Sequence, residues 1–377
     1  MLTCGQIGRG GGFPQVLWAR GIRVVWGLGR LRRTLEWLRR KLESHALILL
    51  YHRIGELCPD IFRLSVTPPH FAQHLEVLRK WGRLLSLVGL ASHLKDARVP
   101  NATVVLTFDD GYADNLYSAK PLLERYDVPA TVFVVAGYVG GEREFWWDEL
   151  ERLLLHPGSR PDVLSLDIGG KSYRWELGEA PCDGPTGSAG QRDRDVFQAR
   201  DAGERARVCV QLWELLRGLP DEGRRKVLDE IGAWAGLEAK ARESHRVLRP
   251  AEVVRLNEGG LVEVGAHTLT HTVLSSIPAA DQRADIEGSK ARLEGIVGHP
   301  VTSFSYPYGT LADYTAETVA LVRQAGFECA CANSPGTVMR GADALQLPRV
   351  VVRDWDGDEF ARRLNRWFGR GGRYMGH

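Results

Sequence analysis

Apolar runs alternate along most of the chain with segments that have a helical spacing of apolar positions. The run Val104–Leu106 shows no polar alternation, which is typical of a parallel strand buried on both faces. The pattern predicts strands at residues 46–54, 102–108, 129–135, 260–266, 329–332 and 345–352, and helices at residues 68–82, about 115–126, 317–327 and 358–368. Strands that alternate with helices in this way predict an α/β fold built on parallel strands.

The middle of the chain has little strand character and shows a different pattern. Helical spacing predicts three helices there, at residues 145–155, 204–218 and 221–235. Residues 178–203 are rich in Gly, Pro and charged residues, which predicts a mobile loop. We therefore predict one main domain over residues 46–377, interrupted by a mostly helical insertion at about residues 140–250.

The composition is ordinary for a soluble globular protein, with 44% of the 377 residues hydrophobic and 25% charged. A chain of this length can bury a large core. No run of about 18 uncharged apolar residues occurs, which argues against a membrane-spanning helix. The six cysteines form no CxxC pair, which argues against a cysteine-based zinc site or a disulfide framework and favours a reducing compartment.

Residues 1–45 form a basic N-terminal arm or helix, in which nine Arg or Lys against two Glu give a net charge of +7. The arm lacks the apolar core and cleavage site of a secretory signal, so we expect a cytoplasmic protein. Two interpretations of the arm stay open. Residues 13–42 either contact the inner face of the membrane peripherally as a basic amphipathic helix, or pack on the main domain. Because nothing outside the arm is strongly basic, we expect no nucleic-acid partner.

Two adjacent carboxylates, Asp109 and Asp110, stand where the predicted strand 102–108 ends. Like charges side by side repel each other, and burial strengthens the repulsion. Asp and Gly are common in turns, so a solvated turn is one interpretation. Catalytic groups also occur at the carboxyl ends of parallel strands, and a metal ion bound to one carboxylate would leave the other free as a base.

Two histidines follow the predicted strand 260–266, in the stretch VEVGAHTLTHTVLS. His267 and His271 are four residues apart, and on one helical turn this spacing puts both imidazoles on the same face, as a divalent metal requires. Thr268 and Thr270 are expected to hold the ring orientations through hydrogen bonds. An HxxxH pair also occurs by chance on surface helices, so its combination with the two aspartates is what indicates a metal site.

The segments Thr107–Gly111, His267–His271 and Ser305–Gly309 together resemble the polysaccharide deacetylase family, whose catalytic region is the NodB homology domain (carbohydrate esterase family 4). The resemblance covers about residues 46–140 and 255–368. It implies a distorted, incomplete (β/α) barrel with one divalent metal ion, Zn²⁺ foremost and Co²⁺, Ni²⁺ or Mn²⁺ as alternatives. The activity it implies is hydrolysis of the N-acetyl groups of amino sugars.

The family motifs also imply a role for each matching residue. Asp110, His267 and His271 would bind the metal, and Asp109 would be the general base that takes a proton from the attacking water. A backbone N–H near Tyr308 would stabilise the oxyanion.

The chain departs from the commoner family pattern at two positions. Many members carry an arginine that orients the base aspartate where this chain has Ser305, and Arg349 is expected either to supply that cation or to be a surface residue. Many members also take their acid from a late Leu-x-His, which this chain lacks. Some relatives in exopolysaccharide systems instead carry a histidine after the first strand. His52 is therefore expected to protonate the leaving amine, or else to cap the strand end and bond to the aspartates.

The predicted function is removal of N-acetyl groups from an amino-sugar polysaccharide or its lipid-linked precursor. Alternatives are a small-molecule amidase or sugar deformylase of the same fold, and a catalytically dead carbohydrate-binding protein. The segment EFWWDEL (144–150) either lines a sugar groove with its aromatic faces or packs the insertion onto the core.

Overall fold

The computed structural model describes residues 45–155, 161–177, 203–238 and 240–369. The predicted N-terminal arm, apart from its last residue, and the predicted loop at residues 178–203, apart from Gly203, lie outside these ranges. The strands are, in chain order, β1 His45–Tyr51, β2 Arg53–Ile54, β3 Ser65–Val66, β4 Arg83–Leu84, β5 Thr103–Phe108, β6 Ala130–Val134, β7 Val163–Ile168, β8 Lys171–Glu176, β9 Val262–Ala266, β10 Ser303–Ser305, β11 Cys329–Cys331, β12 Val338–Met339 and β13 Val350–Val351.

The α-helices of the described residues surround these strands. They are α1 Pro68–Trp81, α2 Leu87–Lys95, α3 Lys120–Tyr126, α4 Trp146–Leu155, α5 Glu204–Arg217, α6 Asp221–Ala235, α7 Pro250–Asn257, α8 Ala279–Val297, α9 Ala316–Gln324 and α10 Gly357–Gly369. A π-helical segment, Asn115–Ala119, leads directly into α3.

Nine of the described strands form one curled sheet with the order β11-β10-β9-β6-β5-β1-β12, in which β13 also pairs with β1 and β4 with β5. Every neighbouring pair from β11 to β1 is parallel. In the pairings described, β11 and β12 stay at opposite ends of this order. This arrangement confirms the predicted distorted, incomplete (β/α) barrel.

Strand β1 shows why the apolar runs lack polar alternation. All seven of its residues are buried. Leu47 and Leu49 belong to the main core, whereas Ala46 and Ile48 point to the other face and pack with α2. Since successive side chains point to opposite faces, a strand covered on both sides is apolar throughout.

Between β6 and β9 the chain builds a second hydrophobic core from α4, α5, α6 and a β-hairpin of β7 and β8. The hairpin was not among the predicted elements, although Leu164, Leu166 and Ile168 alternate on its buried face. Gly169 and Gly170, both with positive φ, make its turn, and two glycines between alternating runs are a hairpin signal. The domain boundaries themselves stay a prediction.

Two further differences concern the second half of the chain. The strand predicted at residues 345–352 forms only at Val350–Val351, because Leu347 makes an isolated bridge to Cys331 instead. The long helix α8 was not predicted, since polar residues and alanines dominate its sequence. Within the described ranges, no helix has the length and apolar character needed to cross a membrane.

Candidate active site

The carboxyl ends of β1, β5, β9 and β10 meet at one edge of the sheet, because these strands are parallel and in register. Tyr51 pairs with Phe108, and the backbone N–H of Asp109 donates to the carbonyl of Tyr51 at 3.0 Å. His267 follows β9 in the same way, with its N–H on the carbonyl of Val134 at 3.0 Å. The topology therefore brings together residues that are far apart in sequence.

Asp110, His267 and His271 form a buried cluster, hereafter the candidate metal site, in which one ligand atom from each residue lies within 4.8 Å of the others. Asp110 Oδ1 is 3.7 Å from Nε2 of His267 and 3.5 Å from Nε2 of His271. Nδ1 of His267 donates to the carbonyl of Ser305 at 2.7 Å. This bond fixes the tautomer and leaves the Nε2 lone pair directed at the cluster, as in a metal ligand.

The two histidines do not share a helical face, so that part of the prediction is wrong. Residues 267–272, hereafter the His loop, are irregular, and Thr268 and His271 have φ of 62° and 53°. The N–H of His271 donates to Oγ1 of Thr268 at 3.0 Å, which closes a tight turn. The loop brings both rings together by this local turn, with centroids 4.8 Å apart, rather than by helical periodicity.

The His loop packs directly against the backbone segment that follows β6. The carbonyl of Leu269 accepts from the N–H of Gly137 at 3.0 Å, and a Cβ added at Gly137 would lie 2.2 Å from that oxygen. The carboxylate of Asp285 accepts the N–H groups of Leu269 and Thr270 at 2.8 and 3.1 Å. These contacts compensate the cost of positive φ at non-glycine residues, which is about 1–3 kcal/mol each.

Asp109 forms a bidentate ion pair with Arg349, with both N–O distances 2.7 Å. Arg349 also donates to Ser305 Oγ at 2.8 Å and to the carbonyl of Ala332 at 3.0 Å, and its side chain is fully buried. Arg349 is thus not a surface residue. Burial by itself raises the pKa of Asp109, but the Arg349 guanidinium and, to a smaller degree, His267 outweigh it and lower the pKa to about 2.

The pKa of Asp110 is shifted in the opposite direction from that of Asp109. Burial, followed by the negative charge of Asp109, raises its pKa well above the usual range. Burial likewise lowers the pKa of His267 and His271, so both rings are neutral donors. A buried carboxylate and two neutral imidazoles without a direct cation match the donor set that a divalent ion such as Zn²⁺ prefers. The residues of the candidate metal site therefore fit such an ion.

Backbone strain also concentrates here. Asp110 has φ of 75°, and Gly111 follows it with φ of 81° and Val134 side-chain atoms at 3.0–3.1 Å from an added Cβ. A non-glycine residue with positive φ is uncommon, and such strain clusters at functional sites.

His52 directly follows β1, and the charges of Asp109, Arg353 and Arg349 act on its ring. Burial lowers the pKa of His52 to about 3 despite the carboxylate of Asp109, so the ring is neutral at neutral pH. Within the described residues, no hydrogen bond joins its ring to the aspartates, so the alternative in which His52 bonds to them is not what the structure has.

Tyr308 lies next to the candidate metal site, with its ring centroid 4.8 Å from that of His271. Its φ is 59°. Among the described residues, no backbone or side-chain acceptor takes a hydrogen bond from the Tyr308 N–H, which leaves this donor available to a ligand.

The segment EFWWDEL packs the insertion onto the site rather than lining an open groove. Trp146 and Trp147 are buried, and the Trp147 ring lies 4.7 Å from that of His271. The indole of Trp147 donates to the Tyr112 hydroxyl at 2.9 Å, which in turn donates to Asp148 at 2.7 Å. Sequence reasoning left this choice open, and it did not find Asp285, which is one acidic residue among several in a polar helix.

A family model described as polysaccharide deacetylase matches residues 96–157 and 230–330 of the chain. These ranges contain the whole candidate metal site and Asp109, whereas His52 and Arg349 lie outside them.

Two sequence relatives each match about a third of the chain or less. YxkH of Bacillus subtilis (strain 168), whose name places it among the polysaccharide deacetylases, is 27% identical over 125 residues, or 33% of this chain and 43% of that protein. Poly-β-1,6-N-acetyl-D-glucosamine N-deacetylase of Staphylococcus aureus (strain MSSA476) is 28% identical over 113 residues, or 26% of this chain and 39% of that protein. The matches thus span less than half the length of each relative.

Among solved structures, the deacetylase PplD of Streptococcus pyogenes, in complex with acetate, superposes with a TM-score of 0.53 at 17% identity. The superposition covers 85% of this chain and 99% of that one, which shows a shared fold. The family model and the two relatives indicate the same similarity: over the parts that they match, the chain is similar to polysaccharide deacetylases, and the superposition adds that it shares their fold.

Proposed function

We propose that this chain is a metal-dependent hydrolase that removes N-acetyl groups from an amino-sugar-containing glycan. One observation carries the proposal: two adjacent buried aspartates differ in their main partner, although His267 lies near both. Asp109 is paired with Arg349, whereas Asp110 faces two neutral histidines. Such a division provides one carboxylate as a base and the other as a ligand, which hydrolysis of an amide bond requires.

In the proposed mechanism Asp110, His267 and His271 hold one divalent ion, with Zn²⁺ as the first candidate and Co²⁺, Ni²⁺ or Mn²⁺ as alternatives. When bound, the ion supplies Lewis acidity, which makes water more acidic and polarises the amide carbonyl. Because its pKa is about 2, Asp109 is ionised at neutral pH and can accept a proton from the attacking water. Arg349 holds that carboxylate in place through two parallel hydrogen bonds.

The oxyanion and the leaving amine need further groups. The free N–H of Tyr308 is the proposed donor to the oxyanion. His52 is the proposed proton carrier to the leaving nitrogen. Burial lowers its pKa to about 3, so the ring is neutral in the resting protein. In the proposed mechanism it acts as an acid only after it has received the proton that Asp109 takes from the attacking water.

The substrate we propose is an N-acetylglucosamine polymer or its lipid-linked precursor. The support is the Staphylococcus aureus relative, which is named as a poly-β-1,6-N-acetyl-D-glucosamine N-deacetylase. A cytoplasmic location and membrane contact through residues 13–42 are further predictions, on a segment outside the described residues.

The test combines metal analysis with acetate release. Wild type, His267→Ala, His271→Ala and the control His299→Ala, an exposed histidine bonded to Asn257, are stripped of metal and titrated with Zn²⁺. We expect one tight site in wild type and in the control, and its loss in both other variants. Full Zn²⁺ occupancy in His267→Ala or His271→Ala would contradict the assignment.

Activity is measured as acetate released from β-1,6-linked N-acetylglucosamine oligomers and from lipid-linked N-acetylglucosamine. Asp109→Asn should keep the metal and lose about 10²–10⁴ in rate, the usual contribution of general-base catalysis. Release of formate from N-formyl sugars alone would favour the deformylase alternative. Metal and glycan binding without any product would favour the carbohydrate-binding alternative.

A further inference from the structure

Arg224, on helix α6 of the insertion, is fully buried and contacts the His loop. Arg224 Nη2 donates to the carbonyl of Thr270 at 3.1 Å and to Oγ1 of Thr272 at 2.9 Å. Its Nη1 donates to the carbonyl of His271 at 3.3 Å. All three hydrogen bonds described for the Arg224 side chain therefore end on the loop that carries a proposed metal ligand.

The opposite side of the loop is held by a carboxylate. Asp285, on α8, accepts from the N–H groups of Leu269 and Thr270 and from Oγ1 of Thr270, at 2.8, 3.1 and 3.0 Å. The peptide units from Leu269 to His271 thus lie between a guanidinium on their carbonyls and a carboxylate on their N–H groups. This arrangement satisfies buried backbone groups that no helix or sheet would satisfy there.

The hydrogen bonds to the His loop also explain how the charged Arg224 side chain can be buried. The nearest carboxylate on its own helix, Asp221, is 3.6 Å away from Nη2, and the Trp146 ring centroid is 5.6 Å from its guanidinium carbon. Neither contact is a well-aligned hydrogen bond. A fully buried guanidinium is costly unless it is hydrogen-bonded, so the loop carbonyls are what make its burial favourable.

We infer that Arg224 is a positioning residue of the metal centre: it fixes the positive-φ conformation in which His271 turns its Nε2 toward Asp110. The matched ranges of the family model stop at residue 157 and resume at residue 230, so this residue lies in a part of the chain that the model does not match. The insertion is then a structural component of the site and not only a cover over it. This inference rests on the proposed metal centre.

The test compares Arg224→Gln with Arg225→Gln. Arg225 is the next residue on the same helix, is 57% exposed and pairs with Asp221, so its variant controls for loss of an arginine from α6. Each full-length protein is stripped of metal and titrated with Zn²⁺ against a competing chelator. The Co²⁺ form is examined by visible absorption, which reports the ligand geometry. We expect Zn²⁺ affinity to fall 10–100-fold in Arg224→Gln, as for other groups that orient metal ligands, with a changed Co²⁺ spectrum. We expect no change in Arg225→Gln.

Arg224→Lys guards against a folding defect, because it keeps the buried charge but loses the fork of donors. It should fold like wild type and bind Zn²⁺ several-fold more weakly. Wild-type Zn²⁺ affinity and an unchanged Co²⁺ spectrum in a folded Arg224 variant would overturn the inference, even if its melting temperature fell. Absence of Zn²⁺ binding in wild type would instead overturn the proposed function.

Discussion

Replacing Arg349 by Gln removes the cation from the buried Asp109. The side chains are 0% and 6% exposed, and two charged hydrogen bonds of 2.7 Å join them. Removing one partner of such a pair costs about 3–5 kcal/mol because the other charge stays buried and uncompensated. With an unfolding entropy of about 2.1 cal/mol/K per residue over roughly 300 folded residues, the melting temperature should fall by about 5–8 °C.

The assay is thermal unfolding of metal-free protein, since a bound ion would stabilise the folded state and mask the effect. Arg323→Gln is the matched control, because that side chain is 63% exposed and lies 3.6 Å from Asp343. An exposed pair contributes about 0–1 kcal/mol, so its variant should melt within roughly 1–2 °C of wild type.

A double variant makes the test specific to the pair. Asp109→Asn combined with Arg349→Gln removes both charges of the pair, so it should be more stable than Arg349→Gln alone. If the two losses simply add, or if Arg349→Gln melts like the control, the ion pair does not have the importance that its geometry indicates. The rate of acetate release from Arg349→Gln should also fall by about 10²–10⁴, because burial, no longer opposed by the guanidinium, raises the pKa of Asp109, the proposed base.

Three further changes test other parts of the structure. Burial lowers the pKa of His74 from 6.5 to about 4. Between these pH values the unfolded chain binds a proton that the folded chain does not, so the free energy of unfolding decreases as the pH falls. In urea unfolding between pH 7 and 5, His74→Gln should lose about 2 kcal/mol less stability than wild type, and an equal loss would contradict this. Gly137→Ala should push the Leu269 carbonyl, 2.2 Å from the new Cβ, and weaken Zn²⁺ binding at least about 10-fold, whereas Gly295→Ala, which meets nothing within 4 Å, should not. His52→Ala should bind Zn²⁺ normally and lower kcat by about 10²–10⁴; an unchanged kcat would remove His52 from the proton path.

The sequence predicted β1, β5 and β6 because these strands are continuous apolar runs in the core, whereas the short strand β10 was not predicted. Local apolar runs such as ALILLY carry this information by themselves. Helix α8 escaped prediction for the opposite reason, since its apolar residues are too few to show a period. The hairpin of β7 and β8 does carry local alternation and a Gly–Gly turn, so it was predictable and was missed within a segment judged to be helical.

The candidate active site likewise contains some residues that the sequence predicted and others that it did not. The two aspartates and the two histidines were predictable because they stand in short motifs next to strand ends. The partners that position them come from distant parts of the chain: Arg349 is 240 residues from Asp109, and Arg224 is 47 residues from His271. No local pattern encodes such contacts. The shape of the His loop was mispredicted because its turn depends on Asp285 and on the close approach of Gly137, which are tertiary contacts.

The position of the cation differs from the one that the resemblance to the polysaccharide deacetylase family implies. Ser305 stands where many members of the family have the arginine that orients the base, and its hydroxyl here contacts both Asp109, at 3.3 Å, and Arg349, at 2.8 Å. An arginine at position 305 would have to share this buried space with the guanidinium of Arg349, and two buried cations beside one carboxylate would leave one uncompensated. A small hydroxyl at 305 and a cation from the residue just before β13 are therefore linked choices, and either arrangement leaves Asp109 charged and Asp110 free for an ion.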